Sequence, residues 1–180
     1  MPGRHDAFLA AAEIALALEV AAKSSGAIDT VATTGVCTVF PGAINSIPSR
    51  VKLEIDVRDI VQTRRDAVLE ALEKACREVS ARRGVAITRE MINADAPAAC
   101  STQIVEALEN SAARHRLSSM RMVSRAYHDS LFMARVAPTG MLFIPCRGGV
   151  SHRPDEYASP EAIAEGSLVL AEALLELASA

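Results

Sequence analysis

Two of the four histidines lie within residues 124–157, and each has acidic residues close by in the sequence. His128 directly precedes Asp129, and His152 lies in a glycine-containing loop shortly before two further carboxylates. An apolar run between the two histidines predicts a buried strand. A strand in this position would bring both imidazoles to the same end of a sheet, where α/β enzymes carry out their chemistry.

His152 is the best candidate for a metal ligand. It lies in the stretch Gly-Gly-Val-Ser-His-Arg-Pro, whose small residues let a backbone wrap closely around an ion. Asp155 and Glu156 could orient its imidazole. A metal site needs three or more ligands, and the sequence contains neither a His-x-His pair nor an HExxH motif. Spacing alone therefore leaves an ordinary loop histidine as the simpler interpretation.

Three further polar residues could bind or activate a substrate. His128 could act as a base oriented by Asp129, or could donate a hydrogen bond to a developing oxyanion. Arg58 lies on the polar face of a predicted strand, where its guanidinium could bind a carboxylate through two hydrogen bonds. The simpler alternative is an ion pair with a strand neighbour. Asn45 lies in a turn between two isoleucines, where tolerance of unusual backbone angles is the usual reason for asparagine.

The first 95 residues predict the element order α-β-β-α-β. The predicted elements are a helix at 6–23, strands at 31–40 and 50–59, a helix at 63–83 and a strand at 85–92. The strand at 50–59 alternates apolar and charged residues, as expected for a strand with one buried face. A ferredoxin-like layer has the order β-α-β-β-α-β. The first strand of such a layer is therefore missing, and we expect the native unit to begin upstream.

Residues 94–100 differ in composition from their surroundings, which predicts two domains, at 1–95 and 96–180. The second half predicts a helix at 101–115, a strand at 120–124, a helix at 130–136, a strand at 140–144 and a helix that begins after Ser159. Two strands do not make a sheet that is stable alone. We therefore expect an α/β fold in which this half also belongs to a larger unit.

The composition excludes several kinds of partner. The net charge is −3, and charges of both signs are interspersed, so we expect neither nucleic acid nor a membrane surface as a partner. No apolar run has the length of a membrane span and no targeting segment is recognisable, which predicts a cytoplasmic location in a bacterium. The four cysteines show no Cys-x-x-Cys spacing, which predicts reduced and mostly buried thiols.

Several motifs together resemble those of the metal-dependent amidohydrolases of the M20 peptidase clan. They are Phe-Pro-Gly-Ala-Ile-Asn-Ser-Ile-Pro at 40–48, Leu-Glu-Ile-Asp-Val-Arg-Asp at 53–59, His-Asp at 128–129 and Gly-Val-Ser-His-Arg-Pro-Asp-Glu-Tyr at 149–157. The family includes N-carbamoyl-L-amino-acid hydrolases and amidohydrolases of allantoate and ureidoglycolate. Most members have Gly-Ala-Gly before His-Asp. This chain has Arg-Ala-Tyr at 125–127, which resembles the ureidoglycolate branch.

The resemblance implies a ferredoxin-like lid lacking its first strand, followed by the C-terminal α/β part of a zinc-peptidase-like catalytic domain. It implies two divalent ions, Mn²⁺ or Zn²⁺, that activate a water for attack on a ureido carbon. His152 resembles the last metal ligand, and Arg58 and Asn45 resemble the residues that bind the substrate's carboxylate and its neighbouring group. His128 and Tyr127 resemble the pocket turn and are expected to be both catalytic and substrate-binding.

The family's other metal ligands, its catalytic glutamate and a lid histidine lie upstream of the segment that resembles residues 1–7. The resemblance therefore implies the C-terminal portion of an enzyme that dimerises through its lid and converts a small ureido carboxylate, ureidoglycolate, to glyoxylate, ammonia and CO₂. These 180 residues alone are expected to bind no metal stably and to be inactive. The alternatives are hydrolysis of N-carbamoyl-L-amino acids or allantoate, and a non-catalytic dimerising fragment or half of a two-chain enzyme.

Overall fold

Helices and one antiparallel hairpin make up the regular structure in the computed structural model, which describes residues 3–179. The elements are α1 (Ala7–Ser24), β1 (Val31–Phe40), β2 (Arg50–Arg58), α2 (Gln62–Arg83), α3 (Thr102–Arg114), α4 (Ser130–Met133), a 3₁₀ turn (Arg147–Gly149) and α5 (Pro160–Ala178). The chain divides into two compact units between Pro97 and Ala98. That the first unit is a lid remains a prediction.

The hairpin of the N-terminal unit has one face covered by helices. Strands β1 and β2 pair antiparallel, with one irregularity between Thr34 and Val36. Alternate residues of β2 are half-buried, which confirms the predicted alternation. Leu53, Ile55 and Val57 of this face pack against a core formed by α1 and α2. The buried members of that core are Ala10, Ile14, Leu18, Val68, Leu72 and Val79. The charged residues of β2, Arg58 among them, face the other way.

Both long helices of this unit have the bounds that the sequence predicts. Asp6 caps α1, since its Oδ1 accepts hydrogen bonds from the backbone N–H groups of Phe8 and Leu9. Gly84 ends α2 in the left-handed region at φ 61°, and its N–H donates to the carbonyl of Ser80. The helix bounds agree with the predicted ones within about a residue.

The predicted strand at 85–92 is wrong, because these residues pair with no strand among those the structure describes. Val85 and Ile87 nevertheless pack half-buried against the helical core, with the exposed Ala86 between them. The hydroxyl of Ser80 donates to the carbonyl of Val85 at 2.8 Å. A segment that docks by alternate side chains has the same two-residue period as a strand, and the period alone cannot show whether its backbone is paired.

In the C-terminal unit, α3 packs against α5 through small residues. Ala107, Ser111 and Ala112 of α3 are buried, and so are Gly166, Val169 and Ala173 of α5. The start of α5 is as predicted: the Ser159 hydroxyl accepts from the N–H of Ala162 at 3.1 Å, and Pro160 is the first helical residue. At the C-terminal end of α3, His115 Nε2 lies 2.7 Å from Glu172 Oε1 of α5.

The predicted strands at 120–124 and 140–144 are also wrong, since neither has a partner strand within residues 3–179. The second segment instead lies against helices through close contacts. A Cβ atom built on Gly140 or Gly166 would overlap the side chain of Ile104 or Ile144, respectively. The helix predicted to reach residue 136 ends at Met133. Turn hydrogen bonds continue for a few residues beyond it.

All four cysteines are free thiols. The prediction that most are buried is wrong: Cys37 and Cys100 are exposed, and Cys76 and Cys146 are half-buried. Among the described residues, no helix combines the length and the apolar character needed to cross a membrane.

A buried carboxylate joins three elements of the N-terminal unit. The side chain of Asp59, the residue after β2, is 0% exposed. It accepts hydrogen bonds from the hydroxyl of Thr30 at 2.5 Å, the N–H of Val61 at 2.7 Å and the guanidinium of Arg64 at 2.7 Å. Arg64 contributes most to lowering the pKa of Asp59 from 3.8 to about 2, and Thr30 and Val61 add to it against the opposing effect of burial.

We predict that this carboxylate makes the N-terminal unit acid-sensitive. Because the pKa of Asp59 is lower in the folded than in the unfolded chain, its contribution is complete above about pH 4 and is lost as the pH falls toward 2. Asp59→Asn should lower the free energy of unfolding at pH 7 by roughly 1–2 kcal/mol, an estimate reduced because Arg64 is partly exposed. Urea unfolding followed by circular dichroism at several pH values measures this.

Asp56→Asn makes the same chemical change at an exposed ion pair with Arg58 and should cost less than about 0.5 kcal/mol. The prediction would be contradicted if the two substitutions lowered the free energy of unfolding equally at pH 7. It would also be contradicted if Asp59→Asn left the pH dependence of that free energy unchanged.

Candidate functional site

Arg58 ends β2 on the charged face of the hairpin. Its Nε lies 2.6 Å from Asp56 Oδ2, and the two side chains are 46% and 51% exposed. The ion pair given as the simpler alternative is therefore present. An exposed pair of this kind contributes little to stability, and a guanidinium has five N–H donors. The pair is thus compatible with exchange of Asp56 for the carboxylate of a ligand.

Asn45 lies in the connection between the two strands, at residues 41–49, and its side chain is exposed. The connection begins with a cis peptide bond between Phe40 and Pro41. The N–H of Ser49 donates to the carbonyl of Phe40 at 3.0 Å, which closes the base of the loop. The guanidinium of Arg50 lies 4.0 Å from the centre of the Phe40 ring. These contacts fix where the loop leaves the sheet, and Asn45 is the middle residue of the connection at 41–49.

The hairpin separates Asn45 from Arg58. In the register, Phe40 lies opposite Arg50 next to the connection, and Val31 lies opposite Arg58 at the other end. At about 3.3 Å per residue, the nine residues of β2 place Arg58 about 26 Å from the connection. The resemblance that places both residues on one substrate is therefore not compatible with a single copy of this hairpin.

Helix α1 runs between the same two ends. The N–H of Ala7, at its start, donates to the carbonyl of Pro48 in the connection at 3.1 Å. Beyond its end, Thr30 donates to Asp59, the neighbour of Arg58. The 18 residues of α1 span about 27 Å, in agreement with the length of β2. One copy of the chain therefore cannot contact a small molecule with both Asn45 and Arg58.

His128 is held on two sides in the C-terminal unit. The hydroxyl of Ser124 lies 2.6 Å from His128 Nε2. The ring of Phe143 lies 5.8 Å from the imidazole, tilted by 59°. Both Ser124 and His128 are half-buried. Neither Ser124 nor Phe143 is predicted as a site residue from the sequence. The four-residue spacing from Ser124 to His128 is a weak signal, since such spacing has a fixed geometry only inside a helix.

Tyr127 is 49% exposed and packs edge-on against Phe132, with ring centroids 5.8 Å apart and an interplanar angle of 75°. Phe132 belongs to the short helix α4, and the guanidinium of Arg135 lies 5.0 Å from its ring centre. The tyrosine is therefore held by its ring, with about half of its surface in solvent. This is compatible with a phenol that reaches a ligand.

His152 lies in a tight, exposed loop. It adopts a positive φ of 57°, uncommon for a residue other than glycine. Its backbone N–H donates to Glu156 Oε2 at 2.9 Å, while Asp155 pairs with Arg153 at 2.8 Å. The expectation that these two carboxylates orient the imidazole is not met, because one holds the backbone of the loop and the other a neighbouring guanidinium.

The described residues supply one ligand of a metal site and not a complete set of ligands. The imidazole of His152 is exposed and chemically suited to Mn²⁺ or Zn²⁺. Within residues 3–179 there is no group of three or more His, Cys, Asp or Glu side chains that could hold an ion. The prediction that a strand brings His128 and His152 to one end of a sheet is wrong, because the described part of this unit has no strand.

The chain matches peptidase family M20/M25/M40 over residues 7–176. It is 52% identical over 178 residues to a ureidoglycolate hydrolase of Oryza sativa subsp. japonica, a match that covers 98% of this chain and 37% of the rice protein. It is 34% identical over 173 residues to an N-carbamoyl-L-amino-acid amidohydrolase of Pseudomonas sp. (strain NS671), covering 96% of this chain and 42% of that protein. The chain thus spans less than half the length of either relative.

A solved structure, the crystal structure of AtUAH in complex with glyoxylate, matches the whole fold. Its TM-score is 0.92 at 46% sequence identity, and the match covers 100% of this chain and 43% of the solved one. The predicted α/β class is confirmed by this likeness. Enzymes of the matched family are generally metal-dependent.

Proposed function

Because the chain belongs to peptidase family M20/M25/M40, we propose that it is a portion of a metal-dependent amidohydrolase that hydrolyses the ureido group of ureidoglycolate. The observation that carries this proposal is the 52% identity, over 178 residues, to a ureidoglycolate hydrolase. In the reaction, water adds to the ureido carbon and the bond from that carbon to the terminal nitrogen breaks. Ammonia leaves first, the carbamate that remains loses CO₂ as its bond to the second nitrogen breaks, and the resulting hydroxyglycine eliminates a second ammonia to give glyoxylate.

Each candidate residue has a role suited to its chemistry. Two divalent ions, Mn²⁺ or Zn²⁺, would supply an activated water when bound, and His152 would hold one of them. Arg58 binds the substrate's carboxylate in place of Asp56. Asn45 donates its amide N–H groups to a substrate oxygen, and His128 donates a hydrogen bond to the oxygen on which negative charge develops.

Tyr127 lies beside His128 in the sequence and offers a phenol in place of the glycine that most of the family has there. A phenol can both donate and accept a hydrogen bond. We therefore infer that Tyr127 recognises the small hydroxy acid. This contact would determine which substrate the enzyme selects within the family.

The separation of Asn45 from Arg58 makes a second copy of the chain necessary in this account. With about 26 Å between the two ends of β2, a molecule as small as ureidoglycolate can contact Asn45 of one copy and Arg58 only of another. The predicted homodimer, formed through the N-terminal unit, supplies that arrangement. A two-fold dimer would contain two equivalent sites of this kind.

The function is tested by assaying the natural full-length protein with Mn²⁺ and ureidoglycolate. We expect release of ammonia and glyoxylate, with a kcat/KM at least about tenfold above that for an N-carbamoyl-L-amino acid or allantoate. The second candidate, N-carbamoyl-L-amino-acid hydrolysis, is favoured by the Pseudomonas relative at 34% identity. A preference for that substrate would replace the proposed one.

The 180-residue chain by itself provides the control. One histidine ligand cannot retain a binuclear site, so this chain should release no ammonia under the same conditions. Turnover by the chain alone would contradict the assignment of the remaining ligands to other parts of the enzyme. No turnover by the full-length protein would instead support a non-catalytic role.

We predict that His152→Gln lowers the metal content of the full-length protein by about one ion per subunit, because an amide is a much poorer ligand than an imidazole. Elemental analysis of the dialysed protein measures this directly. His5→Gln is the matched control, since His5 lies in the N-terminal unit, 3.0 Å from the carbonyl of Arg83, and should leave the metal content unchanged. Equal metal in wild type and His152→Gln would remove this residue from the site.

A further inference from the structure

The loop that carries His152 is closed at its two ends. The backbone N–H of Arg147 donates to the carbonyl of Tyr157 at 2.8 Å. The guanidinium of Arg147 donates to the carbonyl of Asp155 at 3.1 Å and lies 5.1 Å from the centre of the Tyr157 ring. His152 is the middle residue of the segment 147–157 that these contacts close. The ends of the loop are therefore fixed, and the backbone conformation at its middle decides where the imidazole lies.

The backbone of His152 adopts a conformation that a side chain disfavours. Its φ of 57° brings the Cβ atom of an L-residue close to a carbonyl oxygen, whereas Gly148 and Gly149 of the same loop have positive φ angles without that cost. The backbone N–H of His152 donates to Glu156 Oε2 at 2.9 Å. The roles in this bond are fixed, because an amide nitrogen donates and an ionised carboxylate only accepts. Bonds to ionised acceptors are stronger than neutral ones, so this bond offsets part of the cost of the positive φ.

We propose that Glu156 is a positioning residue for His152: its carboxylate holds the backbone of His152 in the left-handed conformation and so sets in advance where the imidazole meets its ion. The inference rests on the proposed function, in which His152 holds one metal ion. It adds a role for Glu156 that acts through the backbone, not as a ligand and not through the imidazole. A loop that is already ordered loses less conformational freedom when an ion binds, so it binds the ion more tightly.

The neighbouring carboxylate has the same charge but makes a different contact. Asp155 accepts from Nε and Nη2 of Arg153 at 2.9 and 2.8 Å, and both side chains of this pair are more than half exposed. An exposed pair of this kind contributes little to stability. Substitution of Asp155 therefore removes one negative charge from the loop while leaving the bond between Glu156 and His152 in place. Asp155→Ala is thus the matched control for Glu156→Ala.

The metal affinity of the natural full-length protein gives the first test. After removal of metal, Mn²⁺ is titrated back in competition with a chelating indicator, which yields a Kd. We expect Glu156→Ala to raise the Kd of one ion roughly 10–100-fold, the usual effect of losing a residue that orients a ligand. Glu156→Gln keeps an oxygen that accepts from the His152 N–H and should stay within about fivefold of the wild type, as should Asp155→Ala. A loss of affinity in Glu156→Gln as large as in Glu156→Ala would overturn the proposal, since it would make Glu156 a ligand.

The backbone amide of His152 gives the second test, which needs no metal. With backbone ¹⁵N-labelled histidine, and His152→Asn to identify the resonance, NMR measures how fast this N–H exchanges with water. In metal-free protein we expect exchange at least about tenfold faster in Glu156→Ala than in the wild type, Glu156→Gln and Asp155→Ala. Equal exchange in all four proteins, or a Kd that Glu156→Ala does not change, would overturn the proposal. If the wild type binds no Mn²⁺, the role of His152 in the proposed function fails, while the exchange rates still show whether Glu156 holds its backbone.

Discussion

The buried carboxylate of Asp59 is the interaction on which the N-terminal unit depends most directly. It accepts hydrogen bonds from the residue before β1, from the backbone that leads into α2 and from the first turn of α2. Because Asp59 directly follows Arg58, the same junction fixes the point at which the proposed carboxylate-binding residue leaves the sheet. A stability determinant and a candidate binding residue are thus neighbours in the chain, one on the buried side and one on the exposed side.

The length of the hairpin has a consequence for function that the residue types alone do not show. Asn45 and Arg58 are each suited to bind part of a small carboxylate, but the register places them at opposite ends of a nine-residue strand. A rigid hairpin cannot bring its ends together, because its backbone hydrogen bonds fix the distance. Assembly of two copies is then part of the proposed site itself. Under the proposed function, the predicted dimer is a requirement for substrate binding.

Much of the fold could be predicted because it depends on local rules. The alternation in β2, the Asp6 and Ser159 caps and the end of α2 at Gly84 follow from side-chain period, capping chemistry and backbone freedom. The strands at 85–92, 120–124 and 140–144 were predicted wrongly, since pairing depends on a partner strand that a segment's own sequence does not encode. The roles of Asn45, Arg58, Tyr127, His128 and His152 remain predictions.

Two features of the candidate site differ in how far the sequence could have revealed them. The separation of Asn45 from Arg58 was available in advance, because the predicted strand at 50–59 already had the length that places them apart. The Ser124–His128 contact was not, since the conformation of an irregular segment follows from packing, here against Phe143, and not from a period. Local chemistry thus identified the candidate residues, and long-range geometry decides which of them can act together.

The most direct test of this account mixes two inactive variants of the natural full-length protein. Asn45→Ala and Arg58→Lys homodimers should each bind ureidoglycolate poorly, because every site lacks one binding group. Co-expression with different tags gives hybrids in which one site receives both natural residues, so a random mixture should recover about a quarter of the wild-type activity. Purified hybrids as inactive as the two parents would contradict the account, since that result requires both residues to come from the same copy of the chain.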